Sequence, residues 1–168
     1  MFVQKLEKMK KILIPTDFSV ASLRLVEYAI LNNPNTPLNI VLVAGYRLPD
    51  TRWALTHFNK SEEVNKQLTD SFVIAKRSLR LEHKKSIQAM SFELFTGNNS
   101  CAFQNFLEQS GADDAIIPKA KSLYCKNRKW FDTTRFLKKN VNNVTEVPVE
   151  RDEELSQQRY SLINLLNL

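Results

Sequence analysis

The sequence predicts an α/β domain: a doubly wound, five-stranded parallel sheet with helices on both faces, followed by a helical carboxyl-terminal extension. Three observations carry that prediction. Ile12-Leu13-Ile14 is a short apolar run closed by Pro15-Thr16-Asp17 and followed at once by a helical pattern, which is how a parallel sheet begins. Leu38 to Tyr46 is almost continuously apolar, as a strand covered on both faces must be. Strand and helix signals then alternate as far as Val149, and that alternation calls for parallel strands joined by crossover helices.

Each element follows in order. Met1 to Met9 is a charged lead-in. From Ser19, a plausible N-cap, to Asn32, apolar residues at Leu23, Val26, Ala29 and Ile30 recur at helical spacing. Residues 32–37 form a turn cluster before the second strand. Arg47 to Lys60 reads as an irregular connection. A single long helix is expected from Ser61 to about Ser86, with Val64, Leu68, Phe72, Ala75, Leu79 and Leu81 as its stripe. Ile87 to Thr96 alternates as a strand. Ser100 is placed to cap a helix bearing Phe103, Phe106 and Leu107, which stops where Gly111 suits the left-handed C′ position. Ala115 to Ile117 is a short buried strand. A helix from Thr133 to Lys139, capped by Asp132, and a last strand from Val144 to Val149 complete a domain spanning residues 1–150. Residues 151–168 are a separate piece, in which Asp152-Glu153-Glu154 precede Leu155, Leu162 and Leu166 at helical spacing.

A chain of 168 residues suits one domain with a full core. No apolar run approaches the roughly 18 residues that span a bilayer, and residues 12–14 are too few for a signal-peptide core, so the expected location is the cytoplasm, with no membrane partner. Cys101 and Cys125 form no CxxC pair, and His57 and His83 stand alone, so no metal site is expected. No Ser-His-Asp or Cys-His arrangement is visible, and the protein is not read as an enzyme. The net charge of +6 is local: residues 115–140 carry +7 and the remainder sums to −1.

The segment Lys11-Ile12-Leu13-Ile14-Pro15-Thr16-Asp17-Phe18-Ser19 resembles the opening of the universal stress protein family. Gly111-Ala112-Asp113-Asp114-Ala115-Ile116-Ile117 is similar to that family's approach to its fourth strand, and Val147-Pro148-Val149 to its final strand. The likeness covers roughly Lys10 to Glu150. It implies a Rossmann-like fold and a stress-response role. It also implies a homodimer joined at Val147, Pro148 and Val149, to which the tail residues Leu155, Leu162 and Leu166 are added as interface candidates.

ATP-binding members of that family carry Gly-x2-Gly-x9-Gly-Ser/Thr after the fourth strand. Glycines there aim backbone N–H groups at phosphates, and a helix N-terminus adds positive potential. In this chain the glycine positions fall on Lys119, Ser122 and Asp132, and the Ser/Thr on Thr133. The only glycines are Gly45, Gly97 and Gly111, so no register restores the nest. Asp132 at the helix start would repel a phosphate. Asp17 keeps two readings: a carboxylate beside adenosine, as the resemblance implies, or a turn residue engaged in local hydrogen bonds.

Lys119, Lys121, Lys126, Arg128 and Lys129 fill the lost loop, with Tyr124, Trp130 and Phe131 between them. Three readings stay open: a solvated loop whose aromatics tuck against the core, a side-chain anion site, or nucleic-acid contact. The expectation is a dimeric stress-response protein without a cofactor, acting through contacts with an unidentified protein partner. The alternative is a binder of ATP, another adenine nucleotide or a small phosphorylated molecule. That site would use Pro15, Thr16, Asp17, Gly45, Lys119, Lys121, Lys126, Arg128 and Thr133. Nucleic-acid contact through residues 119–129 is the weaker alternative.

Overall fold

A computed structural model describes residues 8–149. The expected tail helix and its interface candidates Leu155, Leu162 and Leu166 lie outside the described residues.

Five parallel strands form the sheet, in the order β3-β2-β1-β4-β6. They are β1 (Lys10–Pro15), β2 (Leu38–Tyr46), β3 (Ile87–Phe95), β4 (Asp114–Pro118) and β6 (Asn143–Val147). A two-residue strand not foreseen from sequence, β5 (Trp130–Phe131), adds to β2 in the antiparallel sense. The order reverses between β1 and β4: the chain winds outward from β1 through β2 to β3, then crosses back to start β4 on the other side of β1. In doubly wound sheets that reversal opens a crevice at the carboxyl ends of the strands.

Alternation along the strands divides the core by face. Ile12, Ile14, Ile40, Leu42 and Ile116 point to one side, where α1 (Arg24–Asn32) and α4 (Asp70–Glu82) cover them. Leu13, Val41, Val43, Ala115 and Ile117 point to the other, under α5 (Ser100–Ser110) and α6 (Thr134–Asn140). A third cluster of Phe18, Ala44, Tyr46, Val64 and Trp130 closes the end of the sheet at the crevice.

Local chemistry corrects several expected boundaries. Arg47 to Lys60 is not wholly irregular: it contains α2 (Arg52–Thr56), capped by Thr51. The single long helix is two, α3 (Lys60–Gln67) and α4. Leu68 and Thr69 are extended, and Thr69 Oγ1 accepts the Phe72 N–H at 3.2 Å, so the threonine starts a new helix instead of continuing the old one. Leu81, expected in the buried stripe, is 62% exposed. Asn99, not Ser100, caps α5 by accepting the Ala102 N–H at 2.9 Å. Ser19 Oγ does receive the Ser22 N–H, but Ser19 is not the N-cap of α1: a 3₁₀ turn (Ala21–Leu23) intervenes and Leu23 takes that position. Gly111 has φ 66° at the C′ position of α5, the conformation expected of it. No helix among the described residues is long and apolar enough to cross a membrane.

Candidate functional site

The crevice at the strand reversal is built from the turn after β1, the end of β2 and the loop after β4. Pro15 is the last residue of β1, and Thr16 continues its pairing by donating its N–H to the Val43 carbonyl at 3.0 Å. Thr16 Oγ1 is buried, receives the Phe18 N–H at 3.1 Å and meets Ser22 Oγ at 3.1 Å. These bonds hold Phe18 at φ 63°, a left-handed conformation that disfavours a bulky residue by roughly 1–2 kcal/mol. The strained turn sends the Phe18 ring inward. It stacks on Phe92 at 5.7 Å and meets Trp130 edge-on at 5.0 Å. Burial of this ring offsets the backbone strain.

Asp17 stands at the mouth of the crevice, and its carboxylate is already engaged. Oδ1 accepts the Ser19 N–H at 3.0 Å and the Ser19 hydroxyl, while Oδ2 accepts the Tyr124 N–H at 3.0 Å. The last of these bonds joins the turn after β1 to the middle of the basic loop. Asp17 thus makes the local hydrogen bonds of a turn residue, and its second oxygen also reaches across the crevice to its own chain.

The loop from Lys119 to Lys129 arches over the carboxyl ends of β4, β1 and β2. Lys119 N–H bonds the Val147 carbonyl at 2.8 Å at one end. At the other, the Arg47 N–H bonds the Lys129 carbonyl at 2.7 Å and the Arg47 guanidinium bonds the Arg128 carbonyl. Beyond it Trp130 pairs with Tyr46 and Phe131 with Gly45. Trp130 is buried, meeting Tyr46 at 4.8 Å as well as Phe18. Phe131 packs against Gly45 so closely that a Cβ built there would come within 2.3 Å of the ring. Only glycine permits that approach. The backbone of Gly45, a candidate for holding an adenine base, is covered by Phe131.

The basic side chains of the loop lie at the surface. Lys119, Lys121, Lys126, Arg128 and Lys129 are all exposed, as is Tyr124. Cys125 is half-buried between Asp132 and Asp17. Burial first, then those two carboxylates, push its thiol up to about 11, against the smaller opposing effect of Arg47. Thr133 is buried, and its hydroxyl donates to the Val43 carbonyl at 3.3 Å, so it braces β2 and does not front an open phosphate site. Asp132 is displaced by one residue from its expected cap position, which Thr133 occupies. The expected effect survives the shift: Asp132 Oδ1 takes the Thr134 N–H at 2.8 Å and the Thr134 hydroxyl at 2.6 Å. A carboxylate thus sits at the start of α6, where it meets the positive end of the helix dipole.

At the far edge, Val147 is buried in the core and Val149 packs against it, while the Pro148 carbonyl receives the Tyr28 hydroxyl at 3.1 Å. Two of the three residues proposed for dimer contact thus direct their side chains into their own domain, leaving the backbone edge of β6 for any pairing. Sequence reasoning missed Phe18, Arg47 and the β5 pair. The strand-forming character of adjacent Trp130 and Phe131 was the one signal available for the last. Among the described residues no cluster of three or more metal-ligating side chains occurs.

This architecture defines a class: a doubly wound α/β domain whose strand-reversal crevice is closed by its own loop. No family profile matches the sequence, and no curated protein matches it. Among solved structures, the chain is similar to the hypothetical protein MJ0577, whose biochemical function was assigned from its structure. The two are 17% identical over 84% of this chain and 97% of that one, with a TM-score of 0.51. It also resembles a universal stress protein family member from Burkholderia pseudomallei, 13% identical over 83% and 96% of the two chains, at a TM-score of 0.48. A universal stress protein in complex with cAMP is 16% identical over 84% and 98%, at 0.47.

Proposed function

We propose that this protein is a non-catalytic, non-nucleotide-binding member of the universal stress protein fold class, dimeric and acting through protein contacts. The observation that carries this reading is the self-filled crevice. Trp130 and Phe131 occupy the space beside Phe18 and Gly45, and Tyr124 takes the free oxygen of Asp17. A nucleotide would have to displace both aromatic rings and break the pairing of β5 with β2. It would then meet Asp132 where its phosphates need positive potential. What remains on the surface is a ring of five basic side chains suited to an acidic protein partner.

The test is direct. Protein purified without added ligand and then denatured should release no nucleotide. Calorimetric titration with ATP, ADP and AMP should give no saturable heat, and none of the three should raise the melting temperature, since a ligand of the native state alone stabilises it by mass action. Released nucleotide, or saturable heat lost on Asp17→Ala, overturns the proposal. A monomer at micromolar concentration in analytical ultracentrifugation removes the dimer from it.

A second reading has one observation in its favour. Ser122, at one of the lost glycine positions, has a buried hydroxyl with no hydrogen-bond partner, and such groups are destabilising by about 1–3 kcal/mol. A phosphorylated small molecule held under the loop by that hydroxyl, Lys119 and Lys121 would satisfy it. Ser122→Ala separates the two readings: it should stabilise an unliganded protein and abolish phosphate-dependent stabilisation of a liganded one.

A further inference from the structure

Away from the crevice, α4 carries a groove that the reading above does not use. It has a volume of about 360 Å³ and an apolar lining of Leu68, Phe72, Val73, Leu81 and Ile87. Phe72 and Ile87 are buried core residues, whereas Val73 and Leu81 are 47% and 62% exposed. Four cations, Lys76, Arg77, Arg80 and Lys84, complete the lining. Among the described residues no carboxylate lines the groove, and none of the four cations is ion-paired. Lys76 is the most enclosed of them, its ammonium lying over the Phe92 ring at 4.7 Å. Arg80 stands one turn further along α4, and like charges at that spacing oppose each other. Burial first, and then Arg80, lowers the Lys76 pKa.

A hydrophilic anion would use only the cations, whose attraction solvent and salt screen. A neutral hydrocarbon would use only the apolar lining, and would desolvate Lys76 further without compensation. A molecule with a hydrocarbon chain and one anionic end uses both, and its charge offsets the repulsion between Lys76 and Arg80. The groove is also of the right size. Its volume lies at the lower end of the roughly 300–1,000 Å³ of small-molecule sites. Val73 and Leu81 lie about 12 Å apart along the axis of α4, which suits a chain of medium length. We propose that this groove binds the monomeric anion of a medium-chain fatty acid. The acyl chain lies along Phe72, Val73, Leu81 and Ile87, and the carboxylate is received by Lys76 and Arg80 through charge-assisted hydrogen bonds.

The test is calorimetric titration of the full chain with octanoate, decanoate and laurate, each below its micelle concentration. Laurate should bind at one saturable site, and affinity should rise about two- to fourfold per added methylene, as burial of hydrocarbon requires. Dodecanol and dodecyltrimethylammonium carry the same tail without the negative charge, and should bind at least about tenfold more weakly. Two variants place the site. Leu81→Glu puts a carboxylate on the exposed wall, and Lys76→Gln with Arg80→Gln removes the receiving charges. Each should lower laurate affinity at least about tenfold with the circular dichroism spectrum unchanged. Lys139→Gln, which removes one exposed charge on α6, should leave the affinity within about twofold. No saturable heat from laurate overturns the proposal, as does an affinity unchanged in both α4 variants. Equal binding of dodecanol also overturns it, because the cations then play no part. Sedimentation with phosphatidylcholine vesicles containing phosphatidylserine tests the neighbouring chemistry. Vesicle binding that both variants lose, without heat from laurate, assigns the face to a bilayer and overturns the proposal as well.

Discussion

Replacing Trp130 by alanine tests whether the loop is truly part of the core. The indole is only 5% exposed and meets two aromatic rings at 4.8–5.0 Å, Tyr46 and Phe18. Truncating a buried tryptophan removes its transfer free energy and leaves a cavity, a loss of about 3–5 kcal/mol, of which each aromatic pair accounts for roughly 0.5–1.5 kcal/mol. For a domain of this size each kcal/mol lowers the melting temperature by about 2–4 °C, so the expected drop is roughly 6–20 °C. The sequence supplies its own control. The one other tryptophan, Trp53, is 72% exposed, and its truncation should change stability by no more than about 0.5 kcal/mol. Urea unfolding of both variants, followed by circular dichroism, measures the contrast. The Trp53→Ala protein also leaves Trp130 as the sole emitter, with the blue-shifted spectrum of a buried indole. A loss below about 1 kcal/mol for Trp130→Ala, or red-shifted emission from Trp130 alone, would refute the plugged crevice and with it the argument against nucleotide.

Other variants probe the frame around the site. Gly111→Ala places a Cβ in open space but at φ 66°, so it should destabilise by about 1 kcal/mol through backbone conformation alone, measurable as a lower urea midpoint at unchanged slope. Thr69→Ala removes the cap that splits α3 from α4 and should cost about 1 kcal/mol, while Thr69→Asp should retain stability. Cys125, raised to about 11 from 9.0, is neutral at pH 8 and should label far more slowly than exposed Cys101. Because its folded pKa is the higher one, folding favours the thiol. The linked stability is present below pH 9 and is lost as pH rises through about 11, and Cys125→Ser should remove that dependence.

Much of the fold was legible along the chain because its signals are local. The apolar runs at Ile12–Ile14 and Leu38–Tyr46, the turn at Pro15-Thr16-Asp17 and the glycine at 111 each act through neighbours a few residues away, and these determine the alternation of strands and helices. Where local signals compete, the reading slipped. Val64 to Leu79 has helical periodicity throughout, and only the Thr69 side chain bonding to Phe72 shows that the helix restarts. The absence of the glycine nest was likewise plain from composition, since three glycines cannot supply it. What replaced it was not. That Asp17 bonds Tyr124, 107 residues away, that Arg47 clasps the loop at Arg128 and Lys129, and that Phe131 lies on Gly45 are contacts between segments distant in sequence. No periodicity encodes them, because they come into being only when the parallel sheet brings the ends of β1, β2 and β4 side by side. The sequence by itself thus determined the parallel sheet and its alternation with helices. The tertiary structure decided that the crevice at the strand reversal is filled by the protein's own aromatic side chains.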